Sequence, residues 1–461
     1  MKAFILLPDG VGLRNFAFGK FYEEALKQNF DVTYWNNTSF PIKNLGYKEI
    51  QVEIGKCKPI SDLYKRAKKI IELKQNYKNF KDEAYLSYIF PNSYKSLKEG
   101  LKSLYVDGLV SIYNSQKGLL KIEQKLHQLE RKSEYYIKSK ETLEREKPKV
   151  LFLTNQRPAS AIAPLLAAQD LNIPTVTFIF SWDNLPKGTM VVNSDYYFVW
   201  SEHMKKELLQ YYPKVHENHI YVTGSPQFEC HYNTKFTSKK VFFRTYNLKL
   251  DRRYICFSGD DVTTSPNDQF YLEDVAKAVR NLNSKGYNIG IIYRKCPVDF
   301  TNRHIEIYNN FREEIVLIDP KWNNLGNSWN QVMPLPEDLD LLANTVYHTE
   351  MVINVGSSMV FDYVAQDKSC AYLNYRTTKN VNLNWDIDRI YKYIHFQSMP
   401  SNDAVLWVNS ENDIESIIIK ALKSPDLSNT KVWYQFICGS QPEKSSIRIW
   451  ETIHEIINKE Q

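Results

Sequence analysis

The sequence lacks the features that mark several large classes of protein. Its six cysteines are scattered over 461 residues without a CxxC pair, which argues against a disulfide framework and favours free thiols in a reducing cytosol. No apolar run approaches the ~20 residues of a membrane-spanning helix. The opening run, MKAFILL, is too short for a signal peptide and predicts a first strand. Neither a Ser-His-Asp or Cys-His order nor a metal-ligand spacing is discernible.

A compact basic motif is also missing, although the formal net charge is +6. A mild excess of this kind permits attraction to an anionic membrane or substrate, but most such charge is solvated surface. We therefore expect no nucleic-acid partner. The expected location is the cytoplasm, and contact with the inner face of a membrane stays open.

Strand and helix patterns alternate along most of the chain, which predicts an α/β protein with parallel sheets covered on both faces. A chain of 461 residues is too long for one ordinary core, so we expect two domains. Strands are predicted at 3–7, 30–35, 149–154, 175–180, 196–200 and 219–223, and again at 254–258, 288–293, 315–318, 351–355 and 370–373. Helices are predicted at 16–28, 159–170, 202–211, 268–284, 338–347, 359–366 and 445–459.

Breaks in this alternation suggest the domain boundaries. The segment 36–147 is rich in Lys, Glu and Tyr, and it predicts a largely helical insertion. Its 3-4-3 spacing of apolar residues from Leu119 to Leu129 predicts a helix over 118–145 with a packing face. A polar, irregular seam is expected at 230–251. The predicted organisation is a first domain at 1–235 with the insertion at about 36–147, a second domain at 250–440, and a closing helix within 441–461.

One segment of the second half predicts a phosphate site. A β-branched run, 351–355, meets Gly356, Ser357 and Ser358, and a helical pattern follows with Asp362 in its first turn. Such a turn presents free backbone N–H groups and the positive end of a helix dipole, although no GxGxxG is present. Asp362 is placed where a carboxylate can bind ribose hydroxyls. The alternatives are a capped helix without a ligand and a solvated first-turn carboxylate.

Five sequence motifs, taken in order along the chain, resemble those of GT-B glycosyltransferases of bacterial surface-polysaccharide pathways such as those for capsule and lipopolysaccharide. The superfamily also contains CDP-glycerol glycerophosphotransferases and non-hydrolysing sugar epimerases. The resemblance covers most of 150–375. It rests on SWDNLPKG (181–188), DYYFVWSEHMKKEL (195–208), VTGSPQFE (222–229), IIYRKCPVD (291–299) and PLPEDLDLLANTVYHTEMVINVGSSMVFDYVA (334–365).

The resemblance implies a fold of two Rossmann-like domains facing each other across a cleft. In this arrangement ligands bind at the carboxyl ends of the strands. One departure matters: relatives of the glycerophosphotransferase type have an R-x-H-P turn where this chain has Arg294, Lys295, Cys296 and Pro297. This difference argues against phosphoglycerol transfer.

The donor site is expected in the second domain. Arg294 and Lys295 follow a strand and can neutralise a departing diphosphate, Arg294 being the better suited to a bidentate contact. The turn at Ser258 and Gly259 can approach phosphate or base closely. Asp260 and Asp261 follow that turn and would repel phosphate unless they face elsewhere. Relatives usually work without a metal, so none is expected, and the nucleotide-sugar is a substrate rather than a cofactor.

The acceptor site is expected in the first domain. Asp9 follows the first strand, where it can act as a general base on an acceptor hydroxyl. Around it, Gly10 and Gly12 allow close approach to a ligand, and Arg14 can hold an anionic acceptor or the donor phosphate. Each of these residues has a simpler interpretation as part of a turn.

Two further strand ends supply polar groups to the expected acceptor site. Asn155, Gln156 and Arg157 follow one strand, and the SWDN turn follows another. Trp182 can stack on a sugar ring, Asp183 is the rival to Asp9 as base, and Asn184 lies beside it. A structural turn is the alternative interpretation of SWDN.

We therefore expect a metal-independent glycosyltransferase that moves a sugar from a nucleotide-sugar to a glycan or lipid-linked acceptor. A sugar 2-epimerase, a glycerol- or ribitol-phosphate transferase and a non-catalytic polysaccharide-binding protein are the alternatives. The base, the sugar, the acceptor, the oligomeric state and the stereochemical outcome stay open, because the outcome depends on which carboxylate lies beneath the anomeric carbon.

Overall fold

Parallel β-sheet organises both halves of the chain in the computed structural model, which describes residues 1–53, 55–326, 331–379, 382, 385–423 and 425–460. The strands up to residue 225 are β1 (Lys2–Leu7), β2 (Asp31–Asn36), β3 (Glu49–Gln51), β4 (Val150–Leu153), β5 (Thr175–Phe178), β6 (Tyr196–Val199) and β7 (Ile220–Val222). The helices there are α1 (Val11–Phe16), α2 (Phe21–Lys27), α3 (Pro59–Phe80), α4 (Ala84–Ser87), α5 (Leu97–Tyr113), α6 (Gln116–Glu130), α7 (Glu134–Glu146), α8 (Ile162–Asp170) and α9 (Glu202–Tyr211).

The later strands are β8 (Arg253–Ser258), β9 (Ile289–Arg294), β10 (Ile315–Leu317), β11 (Trp322–Asn324), β12 (Val332–Pro334), β13 (Met351–Asn354), β14 (Ser369–Leu373) and β15 (Leu406–Val408). The later helices are α10 (Cys230–Asn233), α11 (Lys239–Thr245), α12 (Asp268–Ser284), α13 (Ile305–Asn310), α14 (Glu337–His348), α15 (Met359–Val364), α16 (Ile414–Leu422), α17 (Ser428–Cys438) and α18 (Ser445–Lys459).

The chain divides into two compact units. The first comprises Met1–Ser225, Tyr393–His395 and Ile437–Gln461, and the second comprises Pro226–Lys392 and Phe396–Phe436. The helix α18 belongs to the first unit, where Trp450 is buried and its indole N–H donates to the carbonyl of Phe21 at 2.7 Å.

The first unit is built on a parallel sheet with strand order β3-β2-β1-β4-β5-β6-β7. Its central strands are buried because their apolar runs are covered on both faces. The second unit has a parallel sheet of order β10-β9-β8-β13-β14-β15 and a small antiparallel pair, β11–β12. Both parallel sheets are doubly wound, and the strand order reverses beside β1 and β4 in one and beside β8 and β13 in the other.

The insertion forms the helices α3 to α7. Ala67 and Ile71 of α3 pack against Val106 of α5 and Ile122 of α6 in one apolar cluster. The single helix predicted over 118–145 is wrong: the structure has two helices, α6 and α7. The break occurs where Ser133 accepts a hydrogen bond from the backbone N–H of Tyr136 and so caps α7.

The expectation of an irregular seam at 230–251 is also wrong. This segment holds α10 and α11, and the side chains of Phe242 and Phe243 are buried with Leu248 and Tyr254. Two of the seven residues of α11 therefore supply its packing face, too few to make a clear helical period. In the described residues, no helix combines the length and the apolar character needed to cross a membrane.

Candidate functional site

Three loops meet at one edge of the second sheet, beside its switch point. Ser258 pairs in register with Arg294, and the N–H of Gly259 donates to the carbonyl of Arg294 at 2.9 Å. The strand β13 lies on the other side of β8 and leads into Gly356. The loops after β8, β9 and β13 are therefore neighbours at the carboxyl edge, which is where ligands bind in open α/β sheets.

The turn after β13 requires its glycine. Gly356 has φ +62°, and a Cβ there would lie 2.7 Å from Cγ2 of Ile390 and 3.1 Å from the ring of Phe396. The N–H of Ser357 donates to Oδ1 of Asn354 at 2.9 Å. Ser358 precedes α15, and its hydroxyl makes no capping hydrogen bond. The backbone of this turn is therefore closely held, whereas the Ser358 side chain does not cap the helix.

Arg294 is buried at the end of β9 and forms an ion pair with Asp338. Its Nη2 lies 2.9 Å from both carboxylate oxygens of Asp338, which also accepts hydrogen bonds from the N–H of Lys321 and the indole of Trp322. Burial would raise the pKa of Asp338, but the charge and hydrogen bonds of Arg294 and Trp322 lower it. The other guanidinium nitrogen, Nη1, is buried and has no hydrogen-bond partner among the described residues.

Lys295, the second predicted cation, donates to the carbonyl of Thr301 at 2.7 Å. Its ammonium is thus bound within its own loop, in contrast to the unused Nη1 of Arg294.

The turn after β8 is crowded by buried acids. A Cβ at Gly259 would lie 2.8 Å from Oη of Tyr293 and 3.2 Å from Oδ2 of Asp268. Burial and the neighbouring Asp268 and Asp261 raise the pKa of Asp260 well above its usual value, and burial raises the pKa of Asp268 to about 7 despite the nearby Arg303. Both carboxyl groups therefore hold a proton more tightly than an exposed aspartate does.

Asp362 lies in α15 and is buried. Its Oδ1 is 2.7 Å from Nε2 of His231, which is also buried. Burial lowers the pKa of His231, but Cys230 and Asp362 raise it to about 10. This carboxylate is therefore bound by an imidazolium, and its contact with a ribose stays a prediction.

Asp9 joins two strand ends across the switch point of the first sheet. Its Oδ2 accepts from Nδ2 of Asn155 at 2.7 Å, and its Oδ1 accepts from the N–H of Gly12 at 3.3 Å. A Cβ at Gly12 would lie 2.8 Å from Oγ1 of Thr154, so α1 begins very close to β4. Gly10 precedes α1 with an ordinary φ of −74°. The structure thus brings Asp9, Gly12 and Asn155 together.

Arg14, also predicted for the acceptor side, lies in the last turn of α1. Its Nε donates to Oδ1 of Asn15 at 3.4 Å.

A second polar network connects the ends of β4 and β5. Nε2 of Gln156 donates to Oδ1 of Asn184 at 3.0 Å, and Nδ2 of Asn184 donates to Asp183 at 2.9 Å. Asp183 also forms an ion pair with Lys187. Burial alone would raise the pKa of Asp183, but Lys187 and His395 lower it. A carboxylate that binds its proton so weakly is a poor general base near neutral pH.

Trp182 is buried in the first unit and packs edge-to-face against His395, with ring centroids 4.8 Å apart. Burial, together with Lys187, lowers the pKa of His395 to about 3, so its ring is neutral at pH 7. The stacking of Trp182 on a sugar stays a prediction.

Sequence and structure comparisons bear on the fold. No family model matches this chain, and no curated protein matches it significantly. Among solved structures, a candidate UDP-N-acetylglucosamine 2-epimerase from Listeria monocytogenes covers 100% of this chain and 97% of its own at 12% identity, with a TM-score of 0.57. The UDP-GlcNAc 2-epimerase of Methanocaldococcus jannaschii covers 99% and 100% at 14% identity, with a TM-score of 0.53.

A glycosyltransferase from Rickettsia africae matches as well, covering 100% of this chain and 99% of its own at 12% identity, with a TM-score of 0.50. This chain has the GT-B fold. Identities this low carry the fold alone, so the activity of this GT-B chain has to be argued from its own residues.

Four residues of the candidate sites were not predicted. They are Asp338, Asp268, His231 and His395, whose partners have no local signal in the sequence. His231 and Asp362 are separated by 131 positions in the sequence, and the hydrophobic periodicity of a segment does not predict a contact over that separation. Within the described part of the chain, no group of three or more His, Cys, Asp or Glu side chains is arranged to hold a metal ion.

Proposed function

We propose that this protein is a glycosyltransferase. The second unit binds a nucleotide-sugar, and the first binds a glycan or lipid-linked acceptor of cell-surface polysaccharide synthesis. The supporting observation is that the residues at the two switch points carry opposite charges. One offers a guanidinium with an unused buried donor beside a glycine-dependent turn, and the other offers the carboxylate of Asp9.

In this mechanism Asp9 removes the proton from the acceptor hydroxyl, whose oxygen then forms a bond to the anomeric carbon. Asp9 is preferred to Asp183 because the cation Lys187 lowers the pKa of Asp183. Asn155 donates to Asp9 and so orients the carboxylate.

The bond between the anomeric carbon and the diphosphate oxygen breaks, and its electron pair stays on the diphosphate. Nη1 of Arg294 and the N–H of Ser358 then donate to the developing charge, since the N–H of Ser357 already donates to Asn354. The ion pair with Asp338 restrains the guanidinium beforehand, which reduces the entropy cost of orienting it.

A sugar 2-epimerase is the second candidate, and the acids near Gly259 favour it. An epimerase needs an acid/base pair in the donor site, and Asp268, with its pKa raised to about 7 by burial, is suited to that task. The helical insertion, which an epimerase does not need for a separate acceptor, favours the transferase.

NMR in D₂O distinguishes transferase activity from epimerase activity. Each common nucleotide-sugar, with CDP-glycerol included, is incubated with the protein. An epimerase that exchanges the C2 proton introduces deuterium and yields the epimer without any acceptor. The transferase proposal predicts a bound nucleotide-sugar with its C2 proton retained. Deuterium at C2 would contradict it, and binding of CDP-glycerol alone would favour phosphoglycerol transfer.

We extend the proposal to an anionic membrane surface, because α5 exposes an apolar face. Leu97 and Leu104 are 83% and 62% exposed, and the spacing of the exposed residues is that of one helical face. The remaining exposed apolar residues of α5 are Leu101, Tyr105 and Ile112. We call this set the α5 surface.

Lysines lie beside the α5 surface at positions 95, 98 and 102. Apolar side chains flanked by lysines complement the headgroup region of an anionic bilayer. Membrane contact of this kind would bring the protein to lipid-linked acceptors.

A further inference from the structure

A cavity of about 320 Å³ lies within the first unit, and the proposed chemistry does not use it. One wall is the helix α3 of the insertion, and the other is formed by Arg157 after β4 and by residues 188–191. Its charged lining consists of five cations and one carboxylate: Lys65, Arg66, Lys68, Lys69, Arg157 and Asp62. The volume is at the small end of ligand pockets, which span ~300–1,000 Å³.

Part of this charge is already neutralised. Lys68 is buried, donates to the carbonyl of Met190 at 2.7 Å and lies 3.6 Å from Glu72 and 4.0 Å from Glu123. Arg66 donates to the neutral amide of Asn92 at 2.6 Å. The charge of Lys68 is therefore balanced within the protein, whereas that of Arg66 is not balanced by this contact.

Lys65 and Lys69 lie one turn apart on α3 and form no ion pair within the described residues. Burial, with the nearby cations Lys187 and Arg157, lowers the pKa of Lys69 to about 8. Burial also lowers the pKa of Lys65. Cations crowded into a partly desolvated cavity repel one another, and an anion bound among them would relieve that repulsion.

The cavity is linked to the edge that holds Asp9. The backbone N–H of Arg157 donates to Oδ1 of Asn155 at 3.0 Å, and the amide of Asn155 donates to Asp9. The backbone of Arg157, which lines the cavity, is therefore connected to the proposed general base through Asn155.

We infer that this cavity binds a phosphate or diphosphate group of the acceptor, held by Lys65, Lys69 and Arg157. Two cations on one helix and a guanidinium opposite them match the several charged oxygens of such a group. The assignment to the acceptor rests on the proposed function, whereas the binding of phosphate does not. Two sources share this chemistry, a lipid-linked diphosphate and a soluble phosphate ester.

Calorimetric titration of the whole protein with inorganic pyrophosphate tests the site directly. The Lys65→Ala/Lys69→Ala double variant removes two cations of the cavity. The Lys74→Ala/Lys78→Ala variant is the matched control, because it removes two exposed lysines from the same helix. We expect a binding site in the cavity, apart from any at the proposed donor site, whose affinity is at least about tenfold weaker in the first variant and within about twofold of wild type in the second. Binding should also weaken as salt is added.

The variant Arg294→Lys distinguishes binding at this cavity from binding at the proposed donor site. Because Arg294 lies in the second unit, this variant should leave pyrophosphate binding at the cavity unchanged. Loss of pyrophosphate binding in Arg294→Lys but not in the double variant would overturn the inference, and so would the absence of binding in the wild type. A failed donor screen alongside lysine-dependent pyrophosphate binding would instead count against the transferase alone.

The source is distinguished by a short isoprenoid diphosphate in detergent micelles, with the isoprenoid alcohol as control. Tighter binding of the isoprenoid diphosphate than of pyrophosphate, lost in the double variant, supports a lipid-linked acceptor. Equal binding of the two supports a soluble phosphate ester. Binding of the alcohol and the diphosphate with equal affinity would overturn the role of the phosphate.

Discussion

Arg294 and Asp338 form a buried ion pair in which one guanidinium nitrogen, Nη2, lies 2.9 Å from both carboxylate oxygens. The carboxylate is held from its other sides by a backbone N–H and an indole N–H. Asp338 therefore restrains the arginine, and Nη1 is buried without a hydrogen-bond partner among the described residues. Its contact with a diphosphate is part of the proposed function.

Replacing Arg294 tests the structural half of this pair. Arg294→Ala leaves the carboxylate of Asp338 buried without its cation, and we expect the free energy of unfolding to fall by about 3 kcal/mol or more. Arg294→Lys keeps a charge and should cost less. Urea unfolding at pH 7 measures both. The control is Arg253→Ala, which breaks an exposed pair with Glu350 and should cost about 1 kcal/mol or less. Equal losses in the Ala and Lys variants of Arg294 would contradict the account.

Asp9→Asn tests the proposed general base, since it keeps the side-chain size and removes the basicity. With the donor identified, kcat should fall by about 10²–10⁴-fold while donor binding is unchanged. Asp183→Asn is the comparison: loss of the pair with Lys187 should lower the melting temperature but leave kcat within about tenfold of wild type. The opposite pattern of kcat values would make Asp183 the base.

The pair of His231 and Asp362 predicts a pH-dependent stability. The pKa of His231 is 6.5 in the unfolded reference and about 10 in the folded protein, raised by Cys230 and Asp362 against the opposing effect of burial. The folded state binds this proton more tightly, so the stabilisation is fully present below pH 6.5 and is lost as pH rises towards 10. Asp362→Asn should reduce this loss, as measured by urea unfolding at pH 6, 7.5 and 9.

Asp367→Asn is the control for that measurement, because Asp367 is exposed and forms a surface ion pair with Lys431. It should keep the pH dependence of the wild type. A wild-type slope in Asp362→Asn would show that the carboxylate does not hold the proton on His231.

The α5 surface predicts binding to anionic membranes. Leu101→Asp places a charge in its centre and should reduce flotation with vesicles that contain phosphatidylglycerol, because burying a charge in the interface is costly. Leu250→Asp is the matched control, since Leu250 is 48% exposed on the second unit. The proposal would be contradicted if the wild-type protein dimerised through the α5 surface and did not float with the vesicles.

Helices with a continuous apolar face could be predicted from the sequence. The expected bounds of α12 and α18 agree with the structure because both helices bury several residues at helical spacing along their whole length. The central strands were likewise apparent from their buried apolar runs. The short strands β3, β11, β12 and β15 were missed, since three residues at a sheet edge show no period.

In the candidate sites, too, some features could be predicted from the sequence and others could not. The strand ends that hold Asp9, Arg294 and Gly356 could be found because a parallel sheet collects its loops at one edge. Their partners could not, since the contacts of Arg294 with Asp338 and of Trp182 with His395 depend on how distant segments pack. Partners of this kind decide whether a carboxylate is a base or half of an ion pair.

The most direct test is the melting temperature of wild type and Arg294→Lys against UDP, GDP, CDP, CMP, dTDP and their sugars, with Arg253→Lys as control. A ligand that binds only the folded state raises the melting temperature according to its concentration relative to Kd. The account predicts that one nucleotide raises it in wild type and in the control, and that Arg294→Lys loses most of that rise. No response from any nucleotide in wild type would contradict the transferase and favour a protein that binds polysaccharide without catalysis.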